Sequence, residues 1–270
     1  MTTTATSPPV STSGGATLSN VLASEFTKLR SVRSTKWSFA VLLILGVGLS
    51  VLACSLTSTH YATDFASHIN FDPTRVSLIG IFFGQFAIGV LGAMVMTAEY
   101  ATGTIRVSLA AVPKRSRLLL AKVVVFAVSS LIIGEIVAFV SYLVGQALLH
   151  PAPSTTLSSP GALRAVAGSG LYLCLLGLFA LGLGVILRST PAAVSAYVGI
   201  VLVLPIIVAL LPTSATNDLR RFMPSSMGTS IVSMTPGPHA FSAGASLICL
   251  AVYALISLLV GAALLQRRDA

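Results

Sequence analysis

The chain has 270 residues, 55% of them hydrophobic and only 9% charged, with a mean hydropathy of +0.94. Soluble domains carry about 25% charged residues, so this composition excludes a water-soluble globular enzyme and leaves an all-α polytopic membrane protein. The 16 Lys and Arg against 7 Asp and Glu give a formal charge of +9; these cations sit between apolar runs rather than on one folded patch, which excludes a nucleic-acid partner.

Residues 1–17 are rich in Thr, Ser, Pro and Gly and have almost nothing to bury, so a disordered tail is expected. Over residues 18–35, Leu18, Val21, Leu22, Phe26, Leu29 and Val32 recur at helical spacing on one arc, opposite Asn20, Ser24, Thr27 and Ser31. This pattern predicts an amphipathic helix lying at the membrane surface, its cations Lys28, Arg30, Arg33 and Lys36 meeting anionic lipid. Glu25 points from the apolar arc and needs a partner such as Lys28, three residues on. A solvated basic flank that only sets orientation is the plainer alternative.

A bilayer core needs about 20 helical residues. Six stretches meet that length: 37–56, 76–98, 123–149, 166–187, 192–211 and 241–265. Asp72-Pro73, Ser159-Pro160 and Thr190-Pro191 have the chemistry of helix starts, and Pro205 should kink span five. Placing the N-terminus inside puts 12 cations on the inner side and leaves Arg75, Arg164, Arg220 and Arg221 outside. The predicted topology is therefore a plasma-membrane protein with both termini cytoplasmic. Cys54, Cys174 and Cys249 lie inside the spans without metal spacing, so neither disulfide nor zinc is expected.

Between spans two and three, Gly103 allows a sharp turn, Thr104 suits a helix cap and Pro113 a stop, which predicts a two-turn helix from Ile105 to Val112. Ile105, Leu109 and Val112 share one face. A short helix outside the bilayer must bury such a face in headgroups or on a partner, at about 1.5 to 3 kcal/mol per side chain.

Three stretches carry a resemblance to a known family: Ser24-Glu25-Phe26-Thr27-Lys28-Leu29-Arg30-Ser31, then Glu99-Tyr100 with Gly103-Thr104-Ile105-Arg106, then the closing Arg267-Arg268-Asp269. From about Leu18 to its end the chain resembles the permease subunits of type-2 ATP-binding cassette exporters, particularly short six-span bacterial ones. Phe26 departs from the pattern, which more often has tryptophan there. The resemblance implies that the loop after span two is the coupling helix seated on a separate ATPase subunit, a role falling on Glu99, Tyr100, Gly103, Thr104, Ile105, Arg106, Leu109 and Val112. It also implies a pair of permease chains, expected as a homodimer, with two ATPase chains, and an amphipathic helix around Glu25, Phe26, Lys28 and Arg30 bracing the same face.

Within the spans, Glu135 is the only acidic residue. A mid-span charge costs about 2.5 to 3.5 kcal/mol on insertion scales, which the 16 Val, Leu, Ile and Phe of that span outweigh. Tyr142 and Gln146 fall within about 20° of Glu135 around the helix. Intramembrane ionisable groups usually face a bundle interior or a wet cavity, so Glu135, Tyr142 and Gln146 are the candidate substrate path; a protonated Glu135 bonded to a neighbouring helix is the alternative. Gly80-Ile-Phe-Phe-Gly84 and the glycines of span four allow close helix approach, within the chain or across a dimer.

No GxxxxGK[ST], HExxH or GxSxG occurs, and no span carries an aspartate. The expected function is therefore a non-enzymatic permease without cofactor, powered by a partner ATPase. A non-transporting membrane anchor for an ATPase is the alternative, and it would tolerate an apolar Glu135, Tyr142 and Gln146.

Overall fold

The computed structural model describes residues 17–61, 71–112, 114–150, 152–235, 237 and 240–267. The tail up to residue 16, Pro113, His68, His239 and the closing Arg268-Asp269 lie outside them. Among the described residues the chain is 84% helical without a strand. Its helices in order are α1 (Leu18–Ser31), α2 (Arg33–His60), α3 (Pro73–Ser77), α4 (Ile81–Thr102), α5 (Thr104–Ala111), α6 (Arg115–Leu148), α7 (Ala162–Leu187), α8 (Thr190–Val198), α9 (Leu204–Leu210), α10 (Thr213–Arg220), α11 (Pro224–Val232) and α12 (Ala243–Arg267). A π-helical turn, Gly199–Val203, joins α8 to α9. Six of these units are long and apolar enough to cross a membrane: α2, α4, α6, α7, α8 with α9, and α12.

The most deeply buried spans are α4 and α7, with the others packed around them. Small residues make this possible, because lipid offers no hydrophobic gain between helices and close backbone contact must supply the attraction. A Cβ on Gly92 of α4 would run into the Gly177 carbonyl of α7, and one on Gly80 into the Gly46 carbonyl of α2. The Gly80–Gly84 pair therefore packs inside the chain, and so do Gly168, Gly177, Gly182 and Gly184 of α7, against Ile231, Phe126, Ser257 and Ala93.

The helix starts differ from expectation in instructive ways. Asp72 does cap, with Oδ1 accepting from the backbone N–H of Thr74 (3.0 Å) and Arg75 (3.1 Å), but it begins the short α3, and span two starts only at Ile81. Behind Ser159-Pro160, the α7 helix starts at Ala162 after Gly161, whose φ of 88° only glycine adopts freely. Thr190 is the first residue of α8 rather than its cap; its hydroxyl donates to Thr97 Oγ1 of α4 at 2.7 Å. The kink expected at Pro205 takes the form of the π turn. Proline has no N–H and its ring crowds the carbonyl four residues back, here Val201, and the ladder relaxes by letting Leu204 N–H reach Gly199 O.

The connection from span five to span six holds two short helices, α10 directly after Pro212 and α11 with Pro224 in its first turn. It also enters the bundle. Phe222 O accepts from Tyr253 Oη (3.0 Å), ten residues along α12, and Gly228 of α11 abuts Tyr172, ten residues along α7. Tyr172 Oη donates to Gln85 Oε1 (2.6 Å) and Tyr197 Oη to Gln85 O (2.9 Å), so both tyrosine hydroxyls are paired.

Candidate functional site

Four charges converge where α1, α4, α5 and α6 meet. Lys122, near the start of α6 and 2% exposed, places Nζ 2.7 Å from Glu25 Oε2 of α1 and 2.7 Å from Glu99 Oε1 of α4. Lys28 Nζ bridges the same two carboxylates, at 2.8 Å from Glu25 Oε1 and 3.1 Å from Glu99 Oε1. It also donates to Ser108 Oγ of α5 at 3.1 Å. Two ammonium groups and two carboxylates cancel, which is the condition for holding charge in a poorly hydrated place. Glu99 Oε2 is buried and lacks a hydrogen-bond partner among the described residues.

The local sequence explains why these side chains meet. Spacing of three to four residues puts Val21, Leu22, Glu25, Lys28 and Leu29 on the face of α1 that packs on the bundle, and Val21 and Glu25 are its buried residues. Glu99 lies in the last turn of α4, and Gly103 then takes the left-handed conformation (φ 71°) that turns the chain directly into α5. Thr104 is the first residue of α5 rather than its cap; its hydroxyl pairs with that of Thr102 at 2.9 Å.

The expected pairing of Glu25 with Lys28 is present, and the structure adds Glu99, Lys122 and Ser108 to it. From sequence, Lys122 counted only toward orientation. Its signal was a lysine directly before an apolar span, in a chain with a second acid just past the preceding one. Burial works against the charge on Lys28; its hydrogen bond to Glu25 and the charges of Glu25 and Glu99 outweigh that and hold its pKa above the ordinary lysine value.

The apolar face of α5 is not left for a partner. Ile105 (3% exposed) and Val112 are buried in the core of this chain, with Leu109 packed against it. The exposed residues of α5 are Arg106, Val107 (71% exposed) and Ala110, on the side away from Ile105. Beneath α5 lies a cavity of ≈ 540 Å³, its polar side formed by Glu25, Lys28, Glu99 and Lys122 and its apolar side by Leu91 and Val95 of α4. On α1, Phe26 and Arg30 point away from the bundle, and Trp37 at the head of α2 is 71% exposed.

At the other end of α6 the polar stripe is divided. Tyr142 Oη pairs with Thr155 Oγ1 (3.1 Å), while Gln146 Nε2 donates to Pro73 O (3.0 Å) and Ser77 Oγ (2.9 Å) and its Oε1 accepts from Thr155 N (2.6 Å). Both residues thus tie α6 to the connection before α7, and Gln146 ties it to α3 as well. Glu135 sits against Gly170 of α7, with Oε2 buried and lacking a partner among the described residues. The cavity beneath α5, the one between α7 and α12 and the one between α4 and α9 are lined by other residues. No group of acids, histidines and cysteines among the described residues has the arrangement of a metal site.

The sequence profile described as "ABC-2 family transporter protein" matches residues 21–211, well over half of the chain. The chain belongs to the ABC-2 transporter family. It is accordingly a permease component of an ABC transporter, the ATPase being a separate partner subunit. Among curated proteins, none matches it. The charge cluster, α5 and the spans from α2 to α9 all fall within the matched residues, and α10 to α12 follow them.

Proposed function

We propose that this ABC-2 permease works as an exporter in which α5 receives the stroke of the ATPase subunit and the charge cluster passes it to the spans. The observation that carries this reading is the bridging position of Lys28, which holds α5 through Ser108 while gripping Glu25 of α1 and Glu99 of α4. Ile105 and Val112 anchor α5 in the core beside the cavity, so a push on its exposed face is carried to α4 and α6 through these anchors and the charge cluster. The amphipathic α1 lies along the inner leaflet with Phe26 and Trp37 in the lipid interface, and both termini are cytoplasmic, as the Lys and Arg distribution requires.

Two copies pair to enclose the substrate path, because the four spans packed around α4 and α7 leave no large channel among the described residues. Glu135 remains the one ionisable group at mid-span available to a substrate. ATPase activity of the purified complex tests the reading. Val107→Asp, at a residue that is 71% exposed and also edges the cavity beneath α5, abolishes binding of the ATPase subunit while the permease stays folded. Retention of the subunit by that variant, with normal substrate-stimulated hydrolysis, would place docking elsewhere.

A further inference from the structure

Building on the six membrane spans, the geometry points to a binding site for one anionic membrane phospholipid in a groove between α7, α9 and α12, below Arg221. The groove has a volume of ≈ 390 Å³ and is walled by Phe179, Leu183, Leu204, Phe222, Ile256 and Val260, of which Leu204, Phe222, Ile256 and Val260 are exposed. A helix about 10 Å across does not fit such a slot, whereas an extended acyl chain does.

Two irregular stretches of backbone form part of its wall: the π turn, through Ile200, and the Phe222–Pro224 segment where α10 passes into α11. Irregular backbone at membrane depth needs cover, because hydrocarbon offers it no hydrogen bonds and an unfilled gap offers no contacts. An ordered chain in the groove supplies that cover.

The head of the groove is cationic. The Arg221 guanidinium lies 5.5 Å from the Phe222 ring centre and 5.4 Å from that of Phe241, which directly precedes α12. It therefore sits at the end of the bundle while Phe222 reaches down to Tyr253. Asp218, 88% exposed, takes one bond from Nη2 at 3.1 Å; Nε is buried and has no partner among the described residues, so the accessible part of the group is its 39% exposed outer end. Arg220 alongside donates to Ala209 O at 2.8 Å. Two guanidinium groups against one solvated carboxylate leave a positive excess beside Phe222, the wall residue on whose ring Arg221 lies, which fits a phosphate headgroup with a chain reaching into the slot.

Native mass spectrometry of the full chain, purified in detergent with phosphatidylglycerol or phosphatidylethanolamine, tests this. The expected result is retention of one phosphatidylglycerol per chain and preferential loss of phosphatidylethanolamine. Arg221→Gln lowers phosphatidylglycerol retention about tenfold, while Arg75→Gln, another exposed cation at this end of the bundle, leaves it unchanged. Leu204→Trp fills the slot, keeps every charge and also loses the lipid, so it decides the matter if the Arg221 variant fails to fold. Equal retention of both lipids by the unmodified chain, or retention indifferent to both substitutions, overturns the proposal without touching the ATPase docking described above.

Discussion

Replacing Lys122 by methionine, which keeps the length of the side chain and removes its charge, should be among the most damaging single changes in the cationic end of the bundle. The ammonium group is nearly inaccessible and lies 2.7 Å from each of two carboxylates. Removing one partner of a buried ion pair costs about 3 to 5 kcal/mol because an uncompensated charge is left behind. Lys28 remains on both carboxylates, which holds the expected loss to about 3 kcal/mol. The matching change at Lys28 removes a group that is 44% exposed, and exposed pairs contribute about 0.2 to 1 kcal/mol. The two variants should thus differ by about 2 kcal/mol, or about 30-fold in the unfolding equilibrium. Titrating the purified chain with SDS in mixed micelles and following ellipticity measures both. Adding Glu25→Gln to Lys122→Met should recover part of the loss, because one orphaned charge disappears. Equal losses at Lys122 and Lys28, or no recovery in the double variant, would refute the buried-network reasoning.

Ile105→Asp should lose about 3 kcal/mol or more of stability, since it buries an unpaired charge; Val107→Asp should leave the melting temperature within about 1 °C and lose only the ATPase subunit, as read by melting and co-purification. Gly80→Ala should destabilise by about 1 to 3 kcal/mol through overpacking against Gly46, whereas Gly48→Ala, with nothing within 4 Å of the new methyl, should be neutral or slightly stabilising. The raised pKa of Lys28 means that its contribution is complete below the ordinary lysine value of 10.5 and fades as pH rises through the folded-state value. Lys28 should therefore add no pH dependence to stability below 10.5, and the gap between the native chain and Lys28→Met should narrow only as pH rises beyond that value. If Glu135 serves the substrate path, Glu135→Gln lowers substrate-stimulated ATP hydrolysis and leaves basal hydrolysis and assembly unchanged.

Hydrophobic run length and turn chemistry carried most of the fold. Six spans, the turn at Gly103 and the short helix behind it were legible because lipid forces long apolar runs into helices and only glycine takes φ of 71° cheaply. What stayed hidden was tertiary. Periodicity identified the Ile105–Leu109–Val112 face but could not say whether its cover comes from this chain or another; the close approach of α5 to the core decided it. Lys122 looked like an orientation signal because a sequence does not show that two acids, 97 and 23 residues earlier, fold onto it. Tyr142 and Gln146 looked like a pore stripe because helical phase says which residues align, not what packs over them, and α3 together with Thr155 packs over these two. The π turn was visible as a proline but not as the form its relief takes.

The central claim, that α5 faces the cytoplasm and takes force from the ATPase on its Arg106–Val107–Ala110 side, is tested most directly by a cysteine at Val107 in the assembled complex. In intact cells a membrane-impermeant maleimide should leave V107C unlabelled. In inside-out vesicles the same site should crosslink to the ATPase subunit, label once that subunit is stripped off, and lose the crosslink when Arg106→Asp is added. Labelling from outside intact cells, or no crosslink to the ATPase from either side, would contradict the account.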